Sequence, residues 1–319
     1  MPQAERPNSG ESQRRVVLIA GPTASGKSAL ALALAQRTDG VVINADAMQV
    51  YRDLAILTSR PSPEDMATAP HRLYGHVQAE ETYSAARWLA EAEAAISTAW
   101  DEERLPVVVG GTGLYFRALE QGLAEIPPIP DAIRRKWREA LAEQGSAALH
   151  VVLAARDPET AAALRPSDGQ RVVRALEVLD ATGTGLSRWQ ARGHGARLLQ
   201  AARVTRLILS PDRQRLYATI DRRFAQMIDA GALDEVRALI TRRLDPSLPA
   251  MKAIGVAELA DVVEGRLALD EAIRMAQQRT RRYAKRQMTW FRNQMAAWRT
   301  GDPQDPRLLD MLLAELAGR

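Results

Sequence analysis

Eight consecutive residues set the frame for the whole chain: Gly21-Pro-Thr-Ala-Ser-Gly26-Lys27-Ser28 fits the pattern G-x-x-x-x-G-K-[ST]. The continuous apolar run Val16 to Ala20 precedes it, and Ser25 to Arg37, filled with Ala and Leu, carries on from it to Thr38-Asp39-Gly40. This reads as a buried strand, a tight loop and a helix, the context in which such a loop cradles phosphate. Glycines let successive N–H groups curl around oxyanions, and the helix N-terminus adds partial positive charge. On this reading Gly21, Pro22, Thr23, Ala24, Ser25, Gly26, Lys27 and Ser28 bind a di- or triphosphate. Lys27 supplies a point charge and Ser28 offers a hydroxyl to Mg²⁺. The alternative is a strand-to-helix turn that holds no ligand.

The following segments repeat the alternation. Val41 to Ala45 is a second buried strand ending at Asp46, Ser84 to Glu103 reads as a helix, and Pro106 to Val109 is a third strand stopping at Gly110-Gly111. This predicts a P-loop NTPase-like α/β fold, a parallel sheet flanked by helices. Ile126-Pro-Pro-Ile-Pro130 is the stretch densest in proline, and the chain from there to about residue 200 reads as helices and turns. Leu207-Ile208-Leu209 could return to the sheet, and the chain beyond Pro211 reads as helical. The expected organisation is a disordered polar N-terminus over 1–13, an α/β core over 14–128 and 201–319 with C-terminal helices, and a mostly helical inserted subdomain over 129–200. A length of 319 residues suits about two domains at ~150 residues each.

Composition excludes more than it selects. With 46% hydrophobic and 26% charged residues the chain is an ordinary globular one. The absence of cysteine removes disulfides, thiolate metal sites, iron–sulfur clusters and cysteine nucleophiles. No apolar run reaches membrane-spanning length and the first thirteen residues lack the apolar core of a signal peptide, so the expected address is the cytoplasm. The net charge is only +4, but lysine occurs at four positions alone, 27, 136, 252 and 285, and the rest of the 43 basic residues are arginine. A GC-rich genome accounts for such a bias; guanidinium forks also suit phosphate. Arg274 to Arg299 holds eight basic residues and no acidic one, interleaved with Tyr283, Trp290, Phe291 and Trp298. That is a nucleic-acid footprint, although Trp290 and some of the other aromatics fit a helix core as well.

Two further positions belong to the expected crevice at the carboxyl ends of the strands. Asp46 could accept a proton from a reacting nucleophile or, equally, cap a following helix. In Gly110-Gly-Thr-Gly113 the glycines would let a ligand approach, and Thr112 would offer a hydroxyl to a leaving group or a base; a plain turn before a helix is the other reading.

Five ordered blocks together carry a resemblance. They are Gly21 to Ser28, Asp46-Ala-Met-Gln-Val-Tyr-Arg52, Gly110-Gly-Thr-Gly-Leu-Tyr-Phe116, Asp168-Gly-Gln-Arg-Val-Val-Arg-Ala-Leu-Glu177, and Thr280-Arg-Arg-Tyr-Ala-Lys-Arg-Gln-Met-Thr-Trp-Phe-Arg292. In this order they resemble the tRNA dimethylallyltransferases, also called tRNA isopentenyltransferases, from about Val16 to Arg299. The resemblance implies Mg²⁺-dependent transfer of a dimethylallyl group from dimethylallyl diphosphate to N6 of the adenosine 3′-adjacent to the anticodon, in tRNAs reading codons that begin with U.

It further implies that the phosphate loop holds the donor's diphosphate, that Asp46 is the general base, that Thr112 lies at the reaction centre and that Arg223 reaches the pyrophosphate. Asp46, Ala47, Met48, Gln49 and Thr112 would touch the target base. Arg134, the stretch Gln170, Arg171, Val172, Val173 and Arg174, and Arg281 and Lys285 of the last block would contact the tRNA anticodon stem-loop. No obligate protein partner is implied, and a monomer is expected. The chain departs from the common pattern at Ala47, where many members have Ser, at Arg60, where a Lys is usual, and at Lys252-Ala-Ile-Gly-Val-Ala257. His71 fits a family motif, yet the four histidines have no metal-ligand spacing, which favours a structural role.

Two other readings compete. A small-molecule or nucleotide kinase would share the loop and the sheet, but no hydrophobic strand after Gly111 ends in the Asp such enzymes commonly use for Mg²⁺. An RNA-binding ATPase module would account for the basic stretch without any group transfer.

Overall fold

The computed structural model describes residues 14–191 and 198–318. The expected disordered segment 1–13 lies outside the described residues. Within them the order is β1 (Arg15–Ala20), α1 (Lys27–Thr38), β2 (Gly40–Asn44), α2 (Pro63–Thr68), β3 (His71–Arg72), α3 (Ala85–Asp101), β4 (Leu105–Gly110), α4 (Gly113–Gln121), α5 (Asp131–Arg156), α6 (Pro158–Ala162), α7 (Gly169–Thr182), α8 (Leu186–Ala191), β5 (Arg203–Leu209), α9 (Arg213–Asp229), α10 (Ala232–Thr241), α11 (Val256–Val263), α12 (Leu269–Gln294), β6 (Arg299–Gly301) and α13 (Leu308–Leu316). They form two compact units, one made by 14–120 and 198–318 and the other by 121–191. The division falls where α4 ends, ahead of the proline cluster at which composition alone places it.

The first unit is built on a six-stranded sheet, every pair parallel, in the order β3-β2-β4-β1-β5-β6. Strand residues alternate between faces. Val16, Leu18 and Ala20 of β1 join Trp88, Ile96, Phe116 and Leu119 of α3 and α4 in one core. Val17 and Ile19 join Ala31, Leu34 and Leu312 of α1 and α13 in the other. Both faces are covered, which is why these strands read as unbroken apolar runs; each buried Val, Leu or Ile contributes roughly 1.5–3 kcal/mol.

Two strands depart from the expected pattern. Beyond Pro211 the chain is not all helical: Arg299–Gly301 pairs with Leu207–Leu209 as β6. Three residues with one apolar neighbour, Trp298, carry no strand signal of their own. At Gly301 a Cβ would sit 2.9 Å from Leu308 Cδ1 and 3.0 Å from Leu207 Cδ1, so a side chain there would have to displace the ends of two buried leucines. The two-residue β3 is also unannounced; in it His71 donates through Nδ1 to Ala69 O, 2.8 Å away, and pairs with Val42, a structural role.

The strand order positions the site. Because β4 inserts between β1 and β2, the three carboxyl ends that carry Gly21, Asp46 and Gly111 are neighbours on one edge. A third core packs α9, α10, α11 and the start of α12 around Tyr51, Leu54 and Val77 beside that edge.

The second unit has its own core of Trp137, Leu149, Leu153, Val172 and Leu176 from α5 and α7. Helix α5 is broken at Gly145, whose φ of 78° is left-handed. Asp168 caps α7, accepting from Arg171 N at 3.3 Å, and Gly183 closes it at φ 68°.

Candidate active site

The phosphate loop is wound tightly at the end of β1. Ala24 and Gly26 take positive φ of 64° and 83°, and Gly26 heads α1 with no side chain over the helix N-terminus. Lys27 folds back, its Nζ donating to Pro22 O at 3.2 Å. Burial pushes the Lys27 ammonium down to about 8; Asp46 opposes the shift and Arg223 adds to it. The hydroxyl of Ser25 is buried with no partner among the described residues, and Ser28 is exposed on the first turn of α1. An orphaned buried hydroxyl, free helix N–H groups and a desolvated lysine together make a cradle suited to an anion.

Asp46 follows β2 in a turn and heads no helix, so the capping reading fails. Its Oδ1 accepts from Met48 N at 2.9 Å, closing an Asx turn. Its Oδ2 takes no hydrogen bond among the described residues. Buried Asn44 fixes the backbone here: Oδ1 accepts from Asp46 N at 2.8 Å while Nδ2 donates to Asp46 O and Leu73 O, each at 3.0 Å. Thr112 Oγ1 accepts from Ala47 N at 2.9 Å, which leaves the hydroxyl proton to donate elsewhere.

The glycines after β4 serve a different end from the expected approach of a ligand. A Cβ at Gly110 would lie 2.0 Å from Ala45 O, at Gly111 2.2 Å from Gln287 Nε2, and at Gly113 2.1 Å from the Trp290 ring. They are small so that protein, not substrate, comes close: α12 lies across this edge, with Trp290 seated on Gly113. Gln287, 5% exposed, joins the two loops, donating to Gly111 O at 2.8 Å and accepting from Thr23 N at 2.9 Å.

Arg223 on α9 completes the loop from outside. Its Nη2 donates to Thr23 Oγ1, and burial lowers its affinity for its proton while Asp46 restores part of it. A cavity of about 600 Å³ opens between these groups, bounded by Thr23, Asp46, Thr112 and Arg223 on one side. Its apolar wall is Leu57, Ile220, Phe224 and Met227, and its basic rim is Lys252, Arg279, Arg282 and Arg286.

Not every expected site residue is placed in the cavity. Ala47 and Met48 line it, but Gln49 turns away, its Nε2 donating to Thr58 O and Ser59 O at 2.9 Å each. Arg281 pairs with Asp221, whereas Arg282, Tyr283 and Arg286 line the cavity and Lys285 is exposed. In the second unit Gln170, Arg171 and Arg174 are exposed, Arg134 is half-buried with an unpartnered Nε, and Val172 and Val173 are in the core. The side chains of the two valines are therefore closed to an external ligand.

Asn44, Gln287, Arg282 and Arg286 are not singled out by sequence, and Lys252 is marked there only as a rare lysine in a divergent segment. The basic stretch marks the two arginines as a region, and nothing in a lone Asn or Gln marks a buried bridge. Chemically the edge offers an anion cradle with two cations, one free carboxylate oxygen, one hydroxyl and an apolar pocket.

Comparison with known proteins names the family of the chain. The family model described as IPP transferase matches residues 49–294, and that described as isopentenyl transferase matches 14–81. A tRNA dimethylallyltransferase of Nitrobacter hamburgensis is 54% identical over 289 residues, 91% of each chain, and one of Rhodospirillum centenum is 55% identical over 292 residues, 92% of this chain and 93% of the other. Among solved structures, the tRNA isopentenylpyrophosphate transferase of Bacillus halodurans is 34% identical with a TM-score of 0.68, covering 96% of each chain. A eukaryotic dimethylallyltransferase acting on tRNA gives a TM-score of 0.79 at 28% identity, covering 95% of this chain and 77% of that one. The chain belongs to the IPP transferase family, the tRNA dimethylallyltransferases.

Proposed function

We propose that the protein is a tRNA dimethylallyltransferase that moves the five-carbon group of dimethylallyl diphosphate to N6 of the adenosine just 3′ of the anticodon. One observation carries the reading most: Thr23 of the phosphate loop, Arg223 and Asp46, whose Oδ2 has no hydrogen-bond partner among the described residues, line a single cavity that also has an apolar wall and a basic rim. A phosphorylated donor with a hydrocarbon tail fits all of these.

The N6 lone pair forms the new bond to C1 of the donor as the C1–O bond breaks, and the electron pair leaves with the diphosphate. Loop N–H groups, Lys27 and Arg223 stabilise charge on the departing oxygen, where preorganised donors act most strongly. Asp46 Oδ2 takes the N6 proton. The base must leave its stack to reach Asp46, at a cost of a few kcal/mol that is least in an unpaired loop. Arg282, Lys285 and Arg286 on α12, with Gln170, Arg171 and Arg174 in the second unit, supply side chains for the RNA backbone.

Mg²⁺ fits the donors present. No cluster of three or more His, Cys, Asp or Glu occurs among the described residues, so the ion would be held by Ser28, the donor's phosphate oxygens and water, as suits an ion that dehydrates reluctantly. When bound it neutralises charge on the leaving diphosphate. No described helix is long and apolar enough to cross a membrane. A tRNA substrate favours the cytoplasm as the address.

The kinase alternative finds no carboxylate at the ends of β4 and β5, which close on Gly110-Gly111 and Leu209-Ser210. Mass spectrometry of an anticodon stem-loop RNA after incubation with enzyme, Mg²⁺ and dimethylallyl diphosphate tests the proposal. One five-carbon addition at the expected adenosine supports it; unmodified RNA, or phosphoryl transfer from ATP to a small acceptor, contradicts it.

A further inference from the structure

The cavity shares one wall with a second cavity of about 480 Å³, lined on its far side by Ile56, Pro61, Pro63 and Met66. Arg223 and Met227 line both. The rest of the partition is the turn 55–59, with Leu57 and Thr58 facing the first cavity and Ile56 and Ser59 the second.

Most of this partition is tied down. The N–H groups of Ala55, Ile56 and Leu57 all donate to the Glu235 carboxylate, at 2.6, 2.8 and 3.0 Å, and Thr58 Oγ1 donates to Leu54 O. Arg223 is held by the Thr23 hydroxyl. Met227 alone has no polar tie, and its unbranched thioether adapts easily to its surroundings.

Its place along α9 gives it meaning. Ile220, Arg223, Phe224 and Met227 share the helix face that lines the first cavity, so Met227 stands four residues, about 6 Å, beyond the arginine at the phosphate loop. A hydrocarbon tail laid from the loop along Phe224 would reach Met227 after about five carbons.

We propose that Met227 sets the chain-length limit of the prenyl donor, closing the first cavity behind a five-carbon group, and that its truncation joins the two cavities for the second isoprene unit of a ten-carbon donor. This rests on the donor assignment above. The chemistry is unchanged: the C1–O bond breaks, the N6–C1 bond forms, and diphosphate carries off the electron pair.

The test compares wild type with Met227→Ala, Met227→Val and Met227→Phe. Each is given an anticodon stem-loop RNA, Mg²⁺ and either dimethylallyl or geranyl diphosphate, and the ratio of kcat/KM for the two donors is read from the RNA mass. One methylene too many in a closed apolar pocket discriminates by about 10–200-fold, so the wild-type ratio of geranyl to dimethylallyl should lie below about 0.01. Met227→Ala should raise it at least ~10-fold, Met227→Val by less, and Met227→Phe not at all. The valine variant guards against loss of folding in the alanine one, since Met227 is 7% exposed.

Wild-type transfer of the five-carbon group with no rise in either truncated variant overturns the role of Met227, as does free use of geranyl diphosphate by wild type. Absence of five-carbon transfer by wild type overturns the donor assignment itself and this inference with it.

Discussion

Gln287 is the side chain on which the most depends for its size. Its amide is buried with both ends used, one on the phosphate loop at Thr23 N and the other on the β4 turn at Gly111 O. A leucine of similar volume would leave a buried donor and a buried acceptor unmatched, at roughly 1–3 kcal/mol for each. Because the orphaned N–H belongs to the loop, Gln287→Leu should weaken donor binding, raising KM for dimethylallyl diphosphate by about tenfold while affinity for the RNA stays within about twofold. Initial-rate kinetics and RNA binding by fluorescence anisotropy check this. Such a residue is hidden in the sequence, since a lone glutamine among Arg282, Lys285, Arg286 and Arg292 reads as one more position on a solvated helix. Asp46 and Lys27 were legible because their types, at strand and loop ends, carry chemistry on their own; Asn44 acts only through the Asp46 backbone it holds.

Helix α7 shows what element-scale reading gains and loses. Val172 and Val173, expected at the RNA, point into the α5–α7 core. Val172, Val173 and Leu176 recur at helical spacing, and that period marks a buried face. At its far end Asp180 binds Lys136 Nζ and Trp137 Nε1 at 2.9 Å and Arg156 Nη2 at 2.6 Å, joining α7 to both ends of α5. Burial pushes the Asp180 carboxyl up, but these hydrogen bonds outweigh it and hold the group below its usual range. With the folded value lower than the unfolded one, about 3.9, its contribution is full above the unfolded value and is lost as pH falls through the folded one. Asp180→Asn should therefore cost about 1–2 kcal/mol at pH 7, discounted because Lys136 and Arg156 are largely exposed, and the deficit should shrink below pH ~4. Urea unfolding of both forms at the two pH values checks it; an equal deficit at both contradicts the assignment. Among strands, β1, β2, β4 and β5 announced themselves as apolar runs, whereas β3 and β6 are two and three residues long and exist through their neighbours. The turn 55–57 was illegible for another reason, as the Glu235 that holds it is about 180 residues away in the chain.

For the molecule as a whole, a net charge of +4 understates the partner because the charge is unevenly placed. Arg282 and Arg286 border the cavity and Lys285 stands exposed between them, while Arg281, Arg279 and Arg266 are spent on Asp221, Glu258 and Asp261. Replacing Arg282, Lys285 and Arg286 together by alanine should weaken RNA binding at low salt and flatten its salt dependence. The slope of log affinity against log salt should fall by about two, at roughly 0.7 for each phosphate of a single strand that is no longer neutralised. Titrations at several salt concentrations read this directly, and an unchanged slope would move the RNA backbone elsewhere. The central claim is that the three neighbouring strand ends act as one alkyl-transfer site in which Asp46 Oδ2 removes the proton from N6. Single-turnover transfer from dimethylallyl diphosphate to a saturating anticodon stem-loop, compared between wild type and Asp46→Asn, tests it most directly. The account predicts a rate lower by about 10²–10⁴ in the variant with RNA affinity within about twofold; transfer at the wild-type rate would contradict it.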